Sequence, residues 1–318
     1  MVCSWKRTCS LVLGLALVYV TGCGIGGCGS GDDGSGTVSK TVVRVEGSDT
    51  MVNLAQAWAE RYSEKHPEIQ VQVSGGGSGV GIASLIDGMA DMTNASRKMT
   101  DKELARMKGN TGKAAVEFIV GRDALAIYVH KDNPIESISK EDLAEIYGEH
   151  GEITKWSQLG VKNRACSSGK IIRVSRQNSS GTFVYFREAV LGKNRDYKLG
   201  AVAQSGSKDV VALVSTTPCA IGYSGMGYVT DDVKMVPVSE KKGETAVPPT
   251  VENTKNGSYP IARPLRIYTA GEPTGAVKDY LDWILSEEGQ KIVLEMGYVP
   301  VGKTVSKPAE KTENEATE

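Results

Sequence analysis

Hydrophobic and polar positions repeat with two different periods along the chain, and the switches between them mark out elements. Residues 41–46, Thr41-Val42-Val43-Arg44-Val45-Glu46, alternate in a β-branched run that predicts a strand. Met51, Leu54, Ala55, Trp58 and Tyr62 then fall on one face of a helix. Residues 69–74 alternate again as a strand, and 80–87 read as a short helix. Thr100 with Glu103 makes a capping-box start for a helix through Met107. Residues 115–120 and 124–130 predict two strands, Ser139 caps a helix running to Tyr147, and 171–175 predict a strand followed by a helix over 183–190. Helical turns over 276–285 and 289–296 close the folded part. Strand and helix in alternation predict an open, largely parallel α/β sheet.

The ends of the chain break this pattern. Lys6 and Arg7 precede an apolar run over residues 11–20, about half of what a membrane-spanning helix needs, so residues 1–22 read as a signal peptide. The run ends in Val20-Thr21-Gly22-Cys23, small residues directly before a cysteine, which resembles a bacterial lipoprotein signal in which Cys23 receives lipid. An ordinary secretory signal cut near the same place is the alternative. Residues 23–40 are mostly Gly, Ser and Asp, a composition that cannot bury a core and behaves as a flexible linker. Residues 303–318 are polar and read as a disordered tail.

Composition narrows the function classes. The 318 residues carry 37 basic and 38 acidic side chains, a formal charge of −1, so there is no basic excess to neutralise a nucleic-acid backbone. At 40% hydrophobic residues the chain can bury real cores, and its length suggests about two domains. Three histidines and six cysteines give little material for a metal centre, and no cofactor is expected. Cys166 and Cys219 lie in the folded region of an exported chain, where a disulfide or two buried thiols both fit.

Glycine is the outlier, with 37 residues against an ordinary share of ~7%. Gly47-Ser48-Asp49-Thr50, Gly75-Gly76-Gly77-Ser78-Gly79 and Ser179-Ser180-Gly181-Thr182 each lie between a predicted strand and a predicted helix. In a parallel α/β sheet such turns gather at the carboxyl ends of the strands, where ligands bind. Helix starts offer unpaired N–H groups and a positive dipole end, glycine lets the main chain come close, and hydroxyls add donors. The ligand implied is a small oxyanion. Arg176 and Arg97, the latter in Asn94-Ala95-Ser96-Arg97, flank the turns and can hold such a guest with two N–H groups each.

Other signals carry less. Residues 297–304 match G-x-x-x-x-G-K-[ST], but a helix precedes them and the polar tail follows, the reverse of what a P-loop needs. Neither Ser78 nor Ser180 sits in a G-x-S-x-G elbow, so no hydrolytic nucleophile is evident and the chain does not read as an enzyme. Met51, Met89, Met92 and Met99 read as core filling.

Taken in order, Gly47-Ser48-Asp49-Thr50, Gly77-Ser78-Gly79, Ala95-Ser96-Arg97 and Arg176-Gln177-Asn178-Ser179-Ser180-Gly181-Thr182 resemble the phosphate-binding proteins of bacterial phosphate-specific ABC transporters, the PstS family. Ala220-Ile221-Gly222-Tyr223 and Gly297-Tyr298-Val299-Pro300 look like its later signatures. The resemblance implies a two-lobed, class II periplasmic-binding-protein-like α/β fold. Each lobe would be a mixed, mostly parallel sheet flanked by helices, with two crossover strands as hinge near 121–130 and 260–268. It further implies lobe 1 from residues 41–122 plus 266–302 and lobe 2 from 123–265. Phosphate would be held by Ser48, Asp49, Thr50, Ser78, Ser96, Arg97, Arg176, Asn178, Ser180, Gly181 and Thr182. A membrane permease would be the partner, the chain acting as a lipid-anchored, exported monomer.

Many members of that family carry an aspartate two residues after the binding arginine, to accept a hydrogen bond from a protonated phosphate oxygen. Here Asn178 stands there. Asp49 is the other candidate acceptor, unless it only caps its helix. Other oxyanions such as sulfate or molybdate, an exported phosphate hydrolase, and an adhesion protein remain the alternatives at this point.

Overall fold

A computed structural model describes residues 40–192, 194–302 and 307–308. The leader, Cys23 and the linker through residue 39 therefore lie outside the described residues. The first half runs β1 (Thr41–Gly47), α1 (Val52–Lys65), β2 (Ile69–Ser74), α2 (Ser78–Ile86), β3 (Met92–Ala95), α3 (Asp101–Thr111) and β4 (Ala115–His130). Next come β5 (Ile138–Ser139), α4 (Lys140–Tyr147), β6 (Ile172–Arg176), α5 (Gly181–Phe186), β7 (Val202–Gln204), α6 (Ser207–Thr216) and β8 (Ala220–Gly225). The chain ends with β9 (Val233–Val236), β10 (Val238–Ser239), α7 (Val251–Lys255), β11 (Ala262–Ala270), α8 (Gly275–Ile284), α9 (Glu287–Glu295) and β12 (Lys307–Pro308).

One mixed sheet runs in the order β2-β1-β3-β11-β4-β8-β6-β7, with β9 and β12 also paired to β4. Its flanks are parallel, β1 with β2 and β3 on one side and β6 with β7 and β8 on the other. Its middle is antiparallel, where β11 pairs with β3 and β4, and β4 with β8. The parallel flanks place the strand-to-helix turns of β1, β2 and β6 at carboxyl ends of strands, where the site is built.

Three hydrophobic clusters divide the interior. Met51, Leu54, Trp58 and Tyr62 of the first helical face pack with Val43, Val45, Leu265, Ile267, Tyr280 and Val293. Met107, Met99, Ile82 and Tyr268 form a smaller neighbour. Residues from Ala124 to Ile261, among them Trp156, Phe186, Val210 and Tyr223, form the third. The central strand serves both sides, since Val116, Phe118 and Val120 belong to the first cluster and Ala124 to Val129 to the third. Between them the sequence predicts a break, with Gly121, Arg122 and Asp123 in succession. Instead β4 continues unbroken, because it pairs with β11 through that stretch and the charge of Asp123 is met across the ladder by Arg263.

Several local expectations change. The helix expected over 80–87 begins at Ser78, and the one expected over 183–190 begins at Gly181 and turns π-helical from Arg187. The Thr100 and Glu103 capping box is present, and Ser139 caps α4. Met89 is 64% exposed, so it is not core filling. Cys166 and Cys219 are bonded to each other, tying the loop before β6 to the entry of β8. Within the segment read as a disordered tail, Lys307–Pro308 pairs with Glu117 and Val116 on the open side of β4.

Candidate functional site

Each of the three glycine-serine turns delivers a buried hydroxyl to one place. After β1, Ser48 and Thr50 are buried; after β2, Ser78; after β6, Ser180 and Thr182; and Ser96 follows β3. Ser48 Oγ donates to Ser96 Oγ at 3.0 Å, Ser78 Oγ lies 3.3 Å from Ser96 Oγ, and Ser96 N–H donates to Ser78 Oγ at 3.0 Å. Thr50 Oγ1 and Thr182 Oγ1 stand 2.9 Å apart although 132 positions separate them in sequence. The β2 and β6 turns also touch, with Gly79 N–H donating to the Ser179 carbonyl at 2.9 Å and Ser179 Oγ to the Gly76 carbonyl at 3.2 Å. The turns after β2 and β6 are thus bonded directly to each other.

Glycine is required at two of these positions. Gly77 caps α2 at φ +98°, and a Cβ there would lie 2.7 Å from the Ser179 carbonyl oxygen. At Gly181, a Cβ would fall 2.3 Å from Ser78 Oγ and 2.6 Å from Ser96 Oγ. Neither α1 nor α2 has a side-chain cap on its first N–H groups, whereas Ser180 Oγ accepts from Thr182 N–H at 3.1 Å.

Asp49 and Arg176 form the charged wall. Asp49 Oδ2 accepts from Arg176 Nη2 at 2.7 Å, and Oδ1 from Gly76 N–H at 2.9 Å. Arg176 further donates Nη1 to Ser207 Oγ at 2.9 Å and Nη2 to the Ser205 carbonyl at 2.7 Å. Burial pushes its guanidinium below the ordinary arginine value, with Asp49 opposing that shift. Arg176 Nε is buried with no hydrogen-bond partner among the described residues, and so is Arg97 Nε. Tyr228 and Tyr298 hydroxyls donate to the Asp49 and Thr50 carbonyls at 2.6 and 2.7 Å, fixing the β1 turn from behind.

A PBP superfamily domain matches residues 33–288. The phosphate-binding protein PstS of Pseudomonas aeruginosa is 35% identical over 274 residues, covering 83% of this chain and 84% of that protein. PstS of Bacillus subtilis is 34% identical over 258 residues, covering 81% and 80%. The chain belongs to the PstS family of phosphate-binding proteins. Among solved structures, a phosphate-bound substrate-binding protein from Clostridium perfringens matches with a TM-score of 0.72 and 31% identity, over 82% of this chain and all of that one (100%). An ABC-type phosphate transport receptor from Vibrio cholerae matches at 0.64 and 29%, over 81% and 100%.

Within this PstS-family chain, not every residue chosen from sequence reaches the hydroxyl cluster. Arg97 Nη1 and Nη2 are bonded to Glu103 at 2.8 and 2.7 Å, and Nη1 also to the Lys98 carbonyl at 2.8 Å, so the fork is turned to the start of α3. The Glu103 carboxyl, pushed up by burial, is nevertheless held below its ordinary value by Arg97 and by the Thr100 N–H. Asn178 is exposed in the turn after β6, whereas Ser180 and Thr182 of the same turn are buried. Conversely, Arg263 and Asp123 were not singled out, yet both side chains are wholly buried beneath Thr50 and Thr182. The available signal was weak, since β4 also carries Glu117 and Arg122 and β11 also carries Arg266.

Proposed function

We propose that this chain is an extracytoplasmic receptor that captures inorganic phosphate in the cleft and delivers it to an ABC permease. The observation that carries this is the convergence of Ser48, Thr50, Ser78, Ser96, Ser180 and Thr182 beside Arg176, whose buried Nε has no partner among the described residues. A buried guanidinium N–H left unpaired is costly, and a tetrahedral oxyanion with four acceptor oxygens answers it together with the hydroxyls. Charge-assisted hydrogen bonds contribute ~1.5–3 kcal/mol each, so a handful suffices for micromolar binding after desolvation and ordering are subtracted. Relatives named for phosphate binding and a phosphate-bound neighbour support the choice of anion.

Asp49 is assigned the role of proton acceptor. Phosphate near neutral pH carries a proton and sulfate does not, so a carboxylate facing the guest rejects sulfate by opposing lone pairs. Each Asp49 oxygen accepts one hydrogen bond here and keeps capacity for another. Asn178, being exposed, is the poorer candidate.

The cleft opens and shuts between lobe 1 (41–122 plus 266–302) and lobe 2 (123–265), with β4 and β11 as the hinge. The separation of the core clusters at residues 120–124 of β4 and at 262–265 of β11 supports that division. Lys6, Arg7, the apolar run and Val20-Thr21-Gly22-Cys23 support lipid attachment at Cys23, which would hold the receptor to the envelope as a monomer. No described helix is long and apolar enough to cross a membrane.

Melting of the phosphate-stripped full chain with phosphate, sulfate, arsenate and molybdate tests the assignment. Binding raises stability by RT ln(1 + [L]/Kd), about 2.7 kcal/mol at a hundredfold excess over Kd. A rise with phosphate and none with sulfate is expected; no rise with phosphate would refute it.

A further inference from the structure

Beneath the hydroxyl cluster lies a buried ion pair that the phosphate reading does not use. Asp123 of β4 and Arg263 of β11 stand opposite each other in the antiparallel ladder, and neither side chain has any exposed area. Arg263 donates Nε and Nη2 to Asp123 Oδ2 at 3.1 and 2.9 Å, while Met226 N–H donates to Oδ1 at 3.1 Å. Burial pushes the Asp123 carboxyl above its ordinary value, with Arg263 opposing. Stability alone gives no reason for such a pair, since apolar residues of similar volume in its place are often neutral or stabilising.

What distinguishes the pair is its other contacts. Arg263 Nη2 also reaches Thr182 Oγ1 at 3.0 Å and Thr50 Oγ1 at 3.2 Å, and Nη1 reaches the Ser96 carbonyl at 3.4 Å. Thr50 lies next to α1 and Thr182 at the start of α5, on opposite sides of the cleft. Resting on the phosphate reading above, we propose that Arg263 is a positioning residue. It fixes the hydroxyl protons of Thr50 and Thr182 for the anion and joins the two threonines only while the cleft is shut.

The argument is one of donors and acceptors. A guanidinium can only donate, so both threonine oxygens must present lone pairs to it. The two hydroxyls are 2.9 Å apart, so one proton is shared between them and the other must point away from Arg263, free for a guest. Arg263 Nη2 lies between the Asp123 carboxylate, at 2.9 Å, and the two threonine oxygens, at 3.2 and 3.0 Å. By occupying that carboxylate, Arg263 keeps the threonine protons available to a guest.

The test is calorimetric titration of the full chain with inorganic phosphate, comparing wild type, Arg263→Lys, Thr182→Val and the double variant. Lysine keeps the charge and loses the fork. Arg263→Lys should weaken phosphate binding about tenfold. In the Thr182→Val background the same change should cost far less, because the hydroxyl it acts on is gone. Additive losses, or wild-type affinity in Arg263→Lys, would overturn the proposal. Should Arg263→Lys not fold, hydrogen exchange of the Arg263 Nη protons in the wild type decides: slow exchange with phosphate and fast exchange without it support the link, and equal exchange overturns it. A wild type that binds no phosphate removes the phosphate reading and this inference together, whereas a wild type that binds with additive variants removes this inference alone.

Discussion

Asp49 Oδ2 lies 2.7 Å from Arg176 Nη2, tying the turn after β1 to the end of β6 across 127 positions of sequence. Arg176 has no exposed side-chain area and Asp49 only 16%, so each depends on the other for compensation. Removing the guanidinium in Arg176→Met leaves a largely buried carboxylate facing the site. We expect phosphate affinity to fall at least about a hundredfold, because a charged donor is lost and a repelling charge is left. Asp49→Asn should instead narrow the preference for phosphate over sulfate. Equilibrium dialysis with labelled phosphate and unlabelled sulfate reads both effects; unchanged discrimination in Asp49→Asn would remove the aspartate from that role.

Gly181→Ala probes the closed cleft by shape alone. The added methyl would sit 2.3 Å from Ser78 Oγ, 2.6 Å from Ser96 Oγ and 3.0 Å from Ser78 Cβ, so more than one buried atom would have to give way. The phosphate-free melting midpoint should move little if the cleft opens to relieve the contact, while the stabilisation by phosphate disappears. Full phosphate stabilisation in Gly181→Ala would mean that the serines and α5 do not meet in the bound state.

The Cys166–Cys219 bond closes a loop with a sequence separation of 53. Chain-entropy reasoning gives about 4 kcal/mol of stabilisation from such a crosslink, and measured effects are commonly smaller. Replacing both cysteines by serine should lower the denaturation midpoint and leave phosphate affinity unchanged, since the bond lies at the loop before β6 and the start of β8. A loss of affinity in the folded double variant would contradict that separation.

Glu103 gives a pH signature. Its folded value is depressed below the ordinary 4.5, so its contribution is present above that value and is lost as the pH falls through the lower folded one. Wild type should therefore lose stability more steeply than Glu103→Gln as the pH falls below about 4.5. Parallel denaturation curves for the two proteins would show that the Arg97 pairing contributes nothing to acid sensitivity.

How much of this the sequence disclosed depends on whether the signal was local. Ser48, Thr50, Ser78, Ser180 and Thr182 were legible because a turn between a strand and a helix has its own composition, and the residues that serve it are neighbours in the chain. The face of α1 was legible for the same reason, through its spacing. The pairing of Arg97 was missed because its partner, Glu103, was read only as half of a capping box; the same carboxylate serves both Thr100 and Arg97. The continuity of β4 through Asp123 could not be read locally, since it depends on Arg263, 140 positions away. Signals of that kind exist only once strands are paired.

The central claim is that separate strand-to-helix turns form one pocket for a tetrahedral, protonated anion. Isothermal titration of the phosphate-stripped chain with inorganic phosphate, repeated in excess sulfate, measures it most directly. We expect a single site of about micromolar affinity or tighter that sulfate leaves essentially intact. Absence of binding heat at any temperature tried, or displacement of phosphate by equimolar sulfate, would contradict it.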